Sequence, residues 1–140
     1  MDDVVVIGGG IIGAATAYFL SKEGRKVKVI ERDPTYKTAS FPLSLGGFRR
    51  QFFQRENILL GKFAREFILR IPELLKTEKN PKPTASMVAN GYLLMFGPEH
   101  AEEQYKALEN HKACEAGTKN ISGSELTKFF PYLNNEGIET

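Results

Sequence analysis

The sequence predicts an α/β fold on three observations. Val4-Val5-Val6-Ile7 is a continuous β-branched run, a glycine-rich stretch follows it at once, and Val27-Lys28-Val29-Ile30 renews the strand pattern after one helical segment. A continuous apolar run suits a parallel strand covered on both faces, where alternation is not required. Ile11 to Glu23 reads as the intervening helix, because Ala14, Ala15 and Ala17 favour helix and permit close packing. Gly24 stands where a left-handed C-cap is expected. Strand, helix and strand within roughly thirty residues form one β-α-β unit with a right-handed crossover.

Arg32 to Gln54 reads as a loop, with Pro34, Pro42 and Gly46-Gly47. A loop of that length in a compact domain is usually functional. Glu56 to Lys76 then predicts an amphipathic helix. Leu60, Phe63, Ala64, Phe67, Ile71 and Leu74 recur at spacings of three and four, so they form the expected buried stripe. Lys62, Arg65, Glu66, Arg70 and Glu73 fill the other face, and Pro72 is expected to kink or divide the helix.

Lys79-Asn80-Pro81-Lys82-Pro83 is a polar connector where the chain is expected to change domain, giving residues 1–80 and 81–140. Gly91 to Phe96 predicts a strand, with Tyr92 and Phe96 in the sheet core. Pro98 to Glu115 predicts a mostly solvated helix with a narrow stripe of Ala101, Tyr105 and Leu108. Ser122 followed by Glu125 has the spacing of a capping box and opens a short helix through Phe129, which Pro131 ends.

Composition narrows the function. The chain has 140 residues, with 41% hydrophobic and 26% charged, the balance of a globular domain or part of one. Nineteen basic against seventeen acidic residues leave a net charge of +2, too small to point to nucleic acid or a membrane surface. Cys114 is the lone cysteine, so no internal disulfide forms and a reducing compartment fits. Without a Cys pair or a His cluster, no structural zinc site is expected. Val4 to Leu20 is uncharged, but its four glycines and the acidic lead Asp2-Asp3 argue against a signal peptide or a transmembrane segment.

The chemistry concentrates at the N-terminus. Gly8, Gly10 and Gly13 make G-x-G-x-x-G after a predicted strand and at the opening of a predicted helix, with Glu31 eighteen residues beyond Gly13. Gly8 permits the tight turn, Gly10 lets backbone approach a pyrophosphate, and Gly13 lets the helix lie close to the sheet. The helix start through Ile11 and Ile12 offers free N–H groups and the positive end of the helix dipole. Glu31 can accept hydrogen bonds from ribose hydroxyls, and its charge repels a 2′-phosphate, which favours FAD or NAD over NADP.

Asp3 to Gly13, Ala17-Tyr18-Phe19-Leu20, Gly24, Val27 and Glu31-Arg32 together resemble the opening of the D-amino-acid oxidase and sarcosine oxidase superfamily of FAD enzymes. Glu31 to Tyr36, Ala39-Ser40, Leu43 to Phe52, Glu56-Asn57-Ile58, Asn90 to Leu94 and Phe130 to Asn134 resemble a mitochondrial subgroup of it. The resemblance implies a partial Rossmann-type FAD-binding domain followed by the start of an α+β substrate domain. It implies FAD as cofactor and an amine or amino acid as substrate. It further implies Arg32 after the ribose acid, Ser40 near the pyrophosphate, Gly46 and Gly47 near the flavin ring, and Arg49 close to flavin or substrate. The subgroup is linked to assembly of respiratory complex I, so assembly partners and a mitochondrial location are implied too; a cytoplasmic location is the alternative.

The residues permit this. Gly46-Gly47 allows backbone approach to a planar ring, and Arg49 can stabilise charge on a reduced flavin or clamp a carboxylate, although Arg49, Arg50 and Arg55 also read as surface charges. A doubly wound fold needs two mononucleotide-binding halves and the sequence supplies one β-α-β, so the chain is expected to be an N-terminal fragment that holds FAD poorly and is inactive alone. A noncatalytic flavin-binding assembly module and an NAD-binding dehydrogenase fragment are the other readings. Cys114 is expected as a passive thiol on an exposed helix, His100 and His111 as solvated side chains, and Asn120-Ile121-Ser122 as a glycosylation pattern without meaning.

Overall fold

The computed structural model describes residues 3–140. The chain forms two compact units, divided between Gly47 and Phe48. The first holds β1 (Asp3–Ile7), α1 (Ile11–Lys22) and β2 (Lys26–Ile30). β1 and β2 pair in parallel, with Val4 opposite Val27, Val5 opposite Lys28 and Ile7 opposite Ile30. The β-branched runs therefore form strands as their pattern predicts.

The helix covers one face of this ribbon. Val4, Val6 and Val27 are partly buried on the face toward α1, where Val29 remains 42% exposed, whereas Val5, Ile7 and Ile30 on the opposite face are exposed. The expectation of strands covered on both faces thus holds for one face among the described residues, because a single crossover helix can lie on only one side. Gly13 brings α1 down onto β1: a Cβ there would lie 1.9 Å from the Gly8 carbonyl oxygen and 3.4 Å from Val6 Cγ1. Gly24, at φ +78°, ends α1. Its N–H donates to the Ser21 carbonyl at 3.0 Å and the Arg25 N–H to the Leu20 carbonyl at 3.1 Å, the paired bonds of a Schellman motif. Residues 31–47 contain turns and no helix or strand.

The second unit contains α2 (Arg55–Leu69), α3 (Ile71–Leu74), α4 (Pro98–Ala113) and α5 (Gly123–Phe129). The connector at 79–83 lies inside this unit. Pro72 divides the amphipathic segment as expected: Arg70, at φ −95° and ψ 5°, ends α2 and leads into α3.

The buried face of α2 differs from the expected stripe. Ile58 is fully buried, in a cluster with Cys114, Ala116 and Phe52, while Leu60 and Phe63 are 65% and 55% exposed. The cause is a close backbone approach. A Cβ on Gly61 would meet the Arg49 carbonyl oxygen at 3.0 Å, so the incoming segment settles over the glycine side of the helix and not over the aromatic side. Lys62 reaches across the same side to donate to the Cys114 carbonyl at the end of α4.

α4 is rotated from expectation in the same way. Ala101, Ala107 and His111 are buried, and Tyr105 is exposed. His111 is 8% exposed with Nε2 2.8 Å from the Phe52 carbonyl oxygen, so it is not a solvated side chain. Cys114 is also buried, not exposed, because it caps α4 where the helix turns into the Ile58 cluster. His100 is exposed as expected.

Residues 91–96 form no strand. The Phe96 N–H donates to the Thr140 carbonyl at 2.7 Å and its carbonyl accepts from Glu139 at 2.9 Å, one isolated exchange in place of a ladder. Tyr92 is accordingly exposed and not in a sheet core. At α5, Glu125 accepts from the Ser122 hydroxyl at 3.0 Å and from its N–H at 3.3 Å, and the hydroxyl bond, then the N–H bond, lowers the Glu125 pKa. The C-terminal segment packs against this helix start, where a Gly123 Cβ would lie 1.9 Å from the Ile138 carbonyl oxygen.

Two substitutions test these approaches. Gly13→Ala forces α1 away from β1 and should cost about 1–3 kcal/mol, read as a lower thermal midpoint; an unchanged midpoint would remove the close helix–strand contact from the account. Gly123→Ala should cost a similar amount, again about 1–3 kcal/mol. Hydrogen exchange would then quicken at the amides of Phe96 and of residue 123, while the β1 amides stay as protected as before.

Candidate functional site: a dinucleotide crevice in the first unit

The C-terminal ends of two parallel strands meet at one place. β1 runs out into Gly8, whose N–H donates to the Ile30 carbonyl at 2.8 Å, and β2 runs out into Glu31. Gly8 takes φ +95°, a conformation that a side chain would strain. The chain turns there and enters α1 through Gly10, its N-cap. Such strand ends are where open α/β sheets hold ligands.

Glu31 locks the turn. Its Oε2 accepts the Gly9 N–H at 2.6 Å and its Oε1 the Asp33 N–H at 2.8 Å. The backbone bond from Asp33, then that from Gly9, hold the Glu31 carboxyl below the usual carboxylate range. The side chain is thus an anion at neutral pH, and each oxygen keeps lone-pair capacity for a further donor.

These residues fit a pyrophosphate and a ribose. Among the described residues a Cβ on Gly10 would meet nothing within 4 Å, so the space in front of it is open. Among the described residues no side chain caps the start of α1, and its first turn carries no acid, which leaves Ile11, Ile12 and Gly13 to present N–H groups and the helix dipole to an anion.

The first unit brings Gly8, Gly10, Ile11, Ile12, Gly13 and Glu31 together in this way. Arg32 follows Glu31 and is exposed. Ser40, Gly46 and Gly47 lie on the exposed loop, with Gly46 at φ +64°. Arg49 belongs to the second unit, where its guanidinium lies 5.2 Å over the Phe52 ring. It also lines a cavity of about 190 Å³ with Phe52, Leu94, Phe96, Gln104 and His111.

Two residues of the crevice lie outside the expected set. Gly9 is a free position of the glycine motif, yet here a Cβ would stand 2.7 Å from the Tyr36 hydroxyl and 3.3 Å from Glu31 Cβ. Tyr36 is the other. Asp33 Oδ1 accepts the Thr35 N–H at 2.9 Å and the Thr35 hydroxyl at 2.6 Å, and the Asp33 carbonyl accepts the Tyr36 N–H at 3.1 Å. This turn carries Tyr36 back to the glycines. Asp33-Pro34-Thr35 is a turn sequence, so the reversal was readable; which atoms it meets was not.

Comparison with known proteins agrees with this geometry. The family profile described as FAD dependent oxidoreductase (DAO) matches residues 3–139. The chain is 38% identical over 141 residues to FAD-dependent oxidoreductase domain-containing protein 1 of Xenopus laevis, covering 97% of this chain and 28% of that protein. It is 36% identical to the protein of the same name from Bos taurus, covering 97% of this chain and 29% of that one. The chain thus spans less than a third of the length of these relatives. The crystal structure of L-proline dehydrogenase from P.horikoshii superposes with a TM-score of 0.75 at 28% identity, over 99% of this chain and 35% of the other. The β-α-β crevice, the profile match and this structural likeness converge: the chain belongs to the DAO family of FAD-dependent oxidoreductases, whose cofactor is FAD.

Proposed function

We propose that the crevice between the ends of β1 and β2 holds the ADP half of FAD. The reading rests on one observation above all: a carboxylate and an uncapped helix start flank a glycine turn with open space before Gly10. The N–H groups of Ile11, Ile12 and Gly13 bind the pyrophosphate, and Glu31 accepts from the ribose. Ser40, Gly46 and Gly47 extend the contact toward the flavin, and Arg49 stabilises negative charge on the flavin or clamps a substrate carboxylate. Residues 1–80 serve the cofactor and 81–140 begin the part that serves the substrate.

FAD supplies hydride acceptance, and the protein supplies position and electrostatics. The substrate class we propose is an amine or amino acid. L-proline dehydrogenase, similar in structure, is named for an amino acid, which supports that class. A mitochondrial location and a role in respiratory complex I assembly complete the proposal; both rest on the subgroup resemblance of segments within residues 31–58, of residues 90–94 and of residues 130–134.

Two measurements test the site. Gly10→Ala places a methyl group in the open space and should weaken FAD binding about tenfold or more, while the thermal midpoint changes little; equal affinity would contradict the phosphate approach. Glu31→Gln should likewise weaken FAD. Because the Asp33 and then the Gly9 N–H hold the Glu31 carboxyl below the usual carboxylate range, it is still ionised at the ordinary glutamate value, and its contribution is lost only as pH falls through the depressed value. Wild-type affinity should therefore be flat at neutral pH and fall only in acid, and Glu31→Gln should abolish that acid limb.

A further inference from the structure

The geometry points to Tyr36 as a further nucleotide-contacting residue: its hydroxyl donates to the ribose hydroxyl from which Glu31 accepts. This rests on the proposed ADP site. Three observations carry it. The Tyr36 hydroxyl is 2.7 Å from the place a Gly9 Cβ would take, and Glu31 Oε2 is 3.4 Å from that same place, so hydroxyl and carboxylate flank one point of the crevice. Among the described residues the Tyr36 hydroxyl has no hydrogen-bond partner, and the residue is 39% exposed, so the group is available to a ligand. Tyr36 also holds φ +56°, a left-handed conformation uncommon for an aromatic residue and kept only where its surroundings enforce it.

The chemistry is complementary. Glu31 is ionised and accepts only, and its two oxygens already take the Gly9 and Asp33 N–H groups. A ribose hydroxyl that gives its proton to Glu31 keeps lone pairs that need a donor. Tyr36 offers an O–H on the same side. Acid and phenol together therefore satisfy both halves of one hydroxyl, where the acid alone satisfies one. The same arrangement explains why the second position of the glycine run is itself glycine: any side chain on residue 9 would displace the Tyr36 hydroxyl.

Calorimetric titration of the purified chain with ADP, 2′-deoxy-ADP and 3′-deoxy-ADP tests the assignment. Tyr36→Phe removes the hydroxyl alone and should weaken ADP about three- to tenfold, the range of one hydrogen bond. One of the deoxy analogues should bind the wild type more weakly and lose nothing further in Tyr36→Phe. Unchanged ADP affinity in Tyr36→Phe, with Gly10→Ala still weakening it, would overturn the role of Tyr36 and leave the ADP site standing. Equal losses for ADP and both analogues would make Tyr36 merely structural and overturn the assignment. Failure of the wild type to bind ADP at all would overturn the site and this inference together.

Discussion

The carbonyl oxygen of Gly8 lies where the side chain of residue 13 would begin. That contact constrains the whole first unit. It sets the distance between α1 and β1, and so fixes where the helix start points. It also sets the turn that offers the Gly9 N–H to Glu31. A side chain at residue 13 would push the start of α1 away from the β1 end and so from the acid that follows β2. Backbone packed on backbone has no side chain to adjust, so the arrangement tolerates little change.

A similar rule shapes the second unit with different partners. Gly61 admits the Arg49–Arg50 backbone to α2, and Gly123 admits the Ile138 carbonyl to α5. Between them, His111 holds Phe52 through its carbonyl, and Phe52 in turn lies under the Arg49 guanidinium. The buried histidine thus supports, through one backbone bond, the segment that carries the arginine. The Ile58 cluster is small for this unit, which explains why hydrogen bonds and helix ends carry so much of its organisation.

Much of the first unit was legible. The β-branched runs at Val4–Ile7 and Val27–Ile30, the glycine spacing and Gly24 each state a local constraint, and local constraints survive whatever lies around them. The break at Pro72 was readable for the same reason. The buried faces of α2 and α4 were not. Both helices carry apolar groups on more than one side, so period alone could not decide between Leu60–Phe63 and Ile58–Gly61, or between Tyr105 and His111. Residues 91–96 had the composition of a strand but found only a short partner in Glu139–Thr140, and a strand needs a ladder as well as a propensity.

By itself the sequence determined the β-α-β unit, the glycine turn and the acid that completes it, because each follows from backbone freedom and side-chain type at fixed spacing. Only the tertiary structure decided that His111 and Cys114 are interior, that Leu60 and Phe63 of α2 are exposed while Ile58 is buried, and that the hydroxyl of Tyr36 comes to rest beside Gly9. Those outcomes depend on which segment packs against each glycine gap, and no periodicity along one helix or loop encodes that contact.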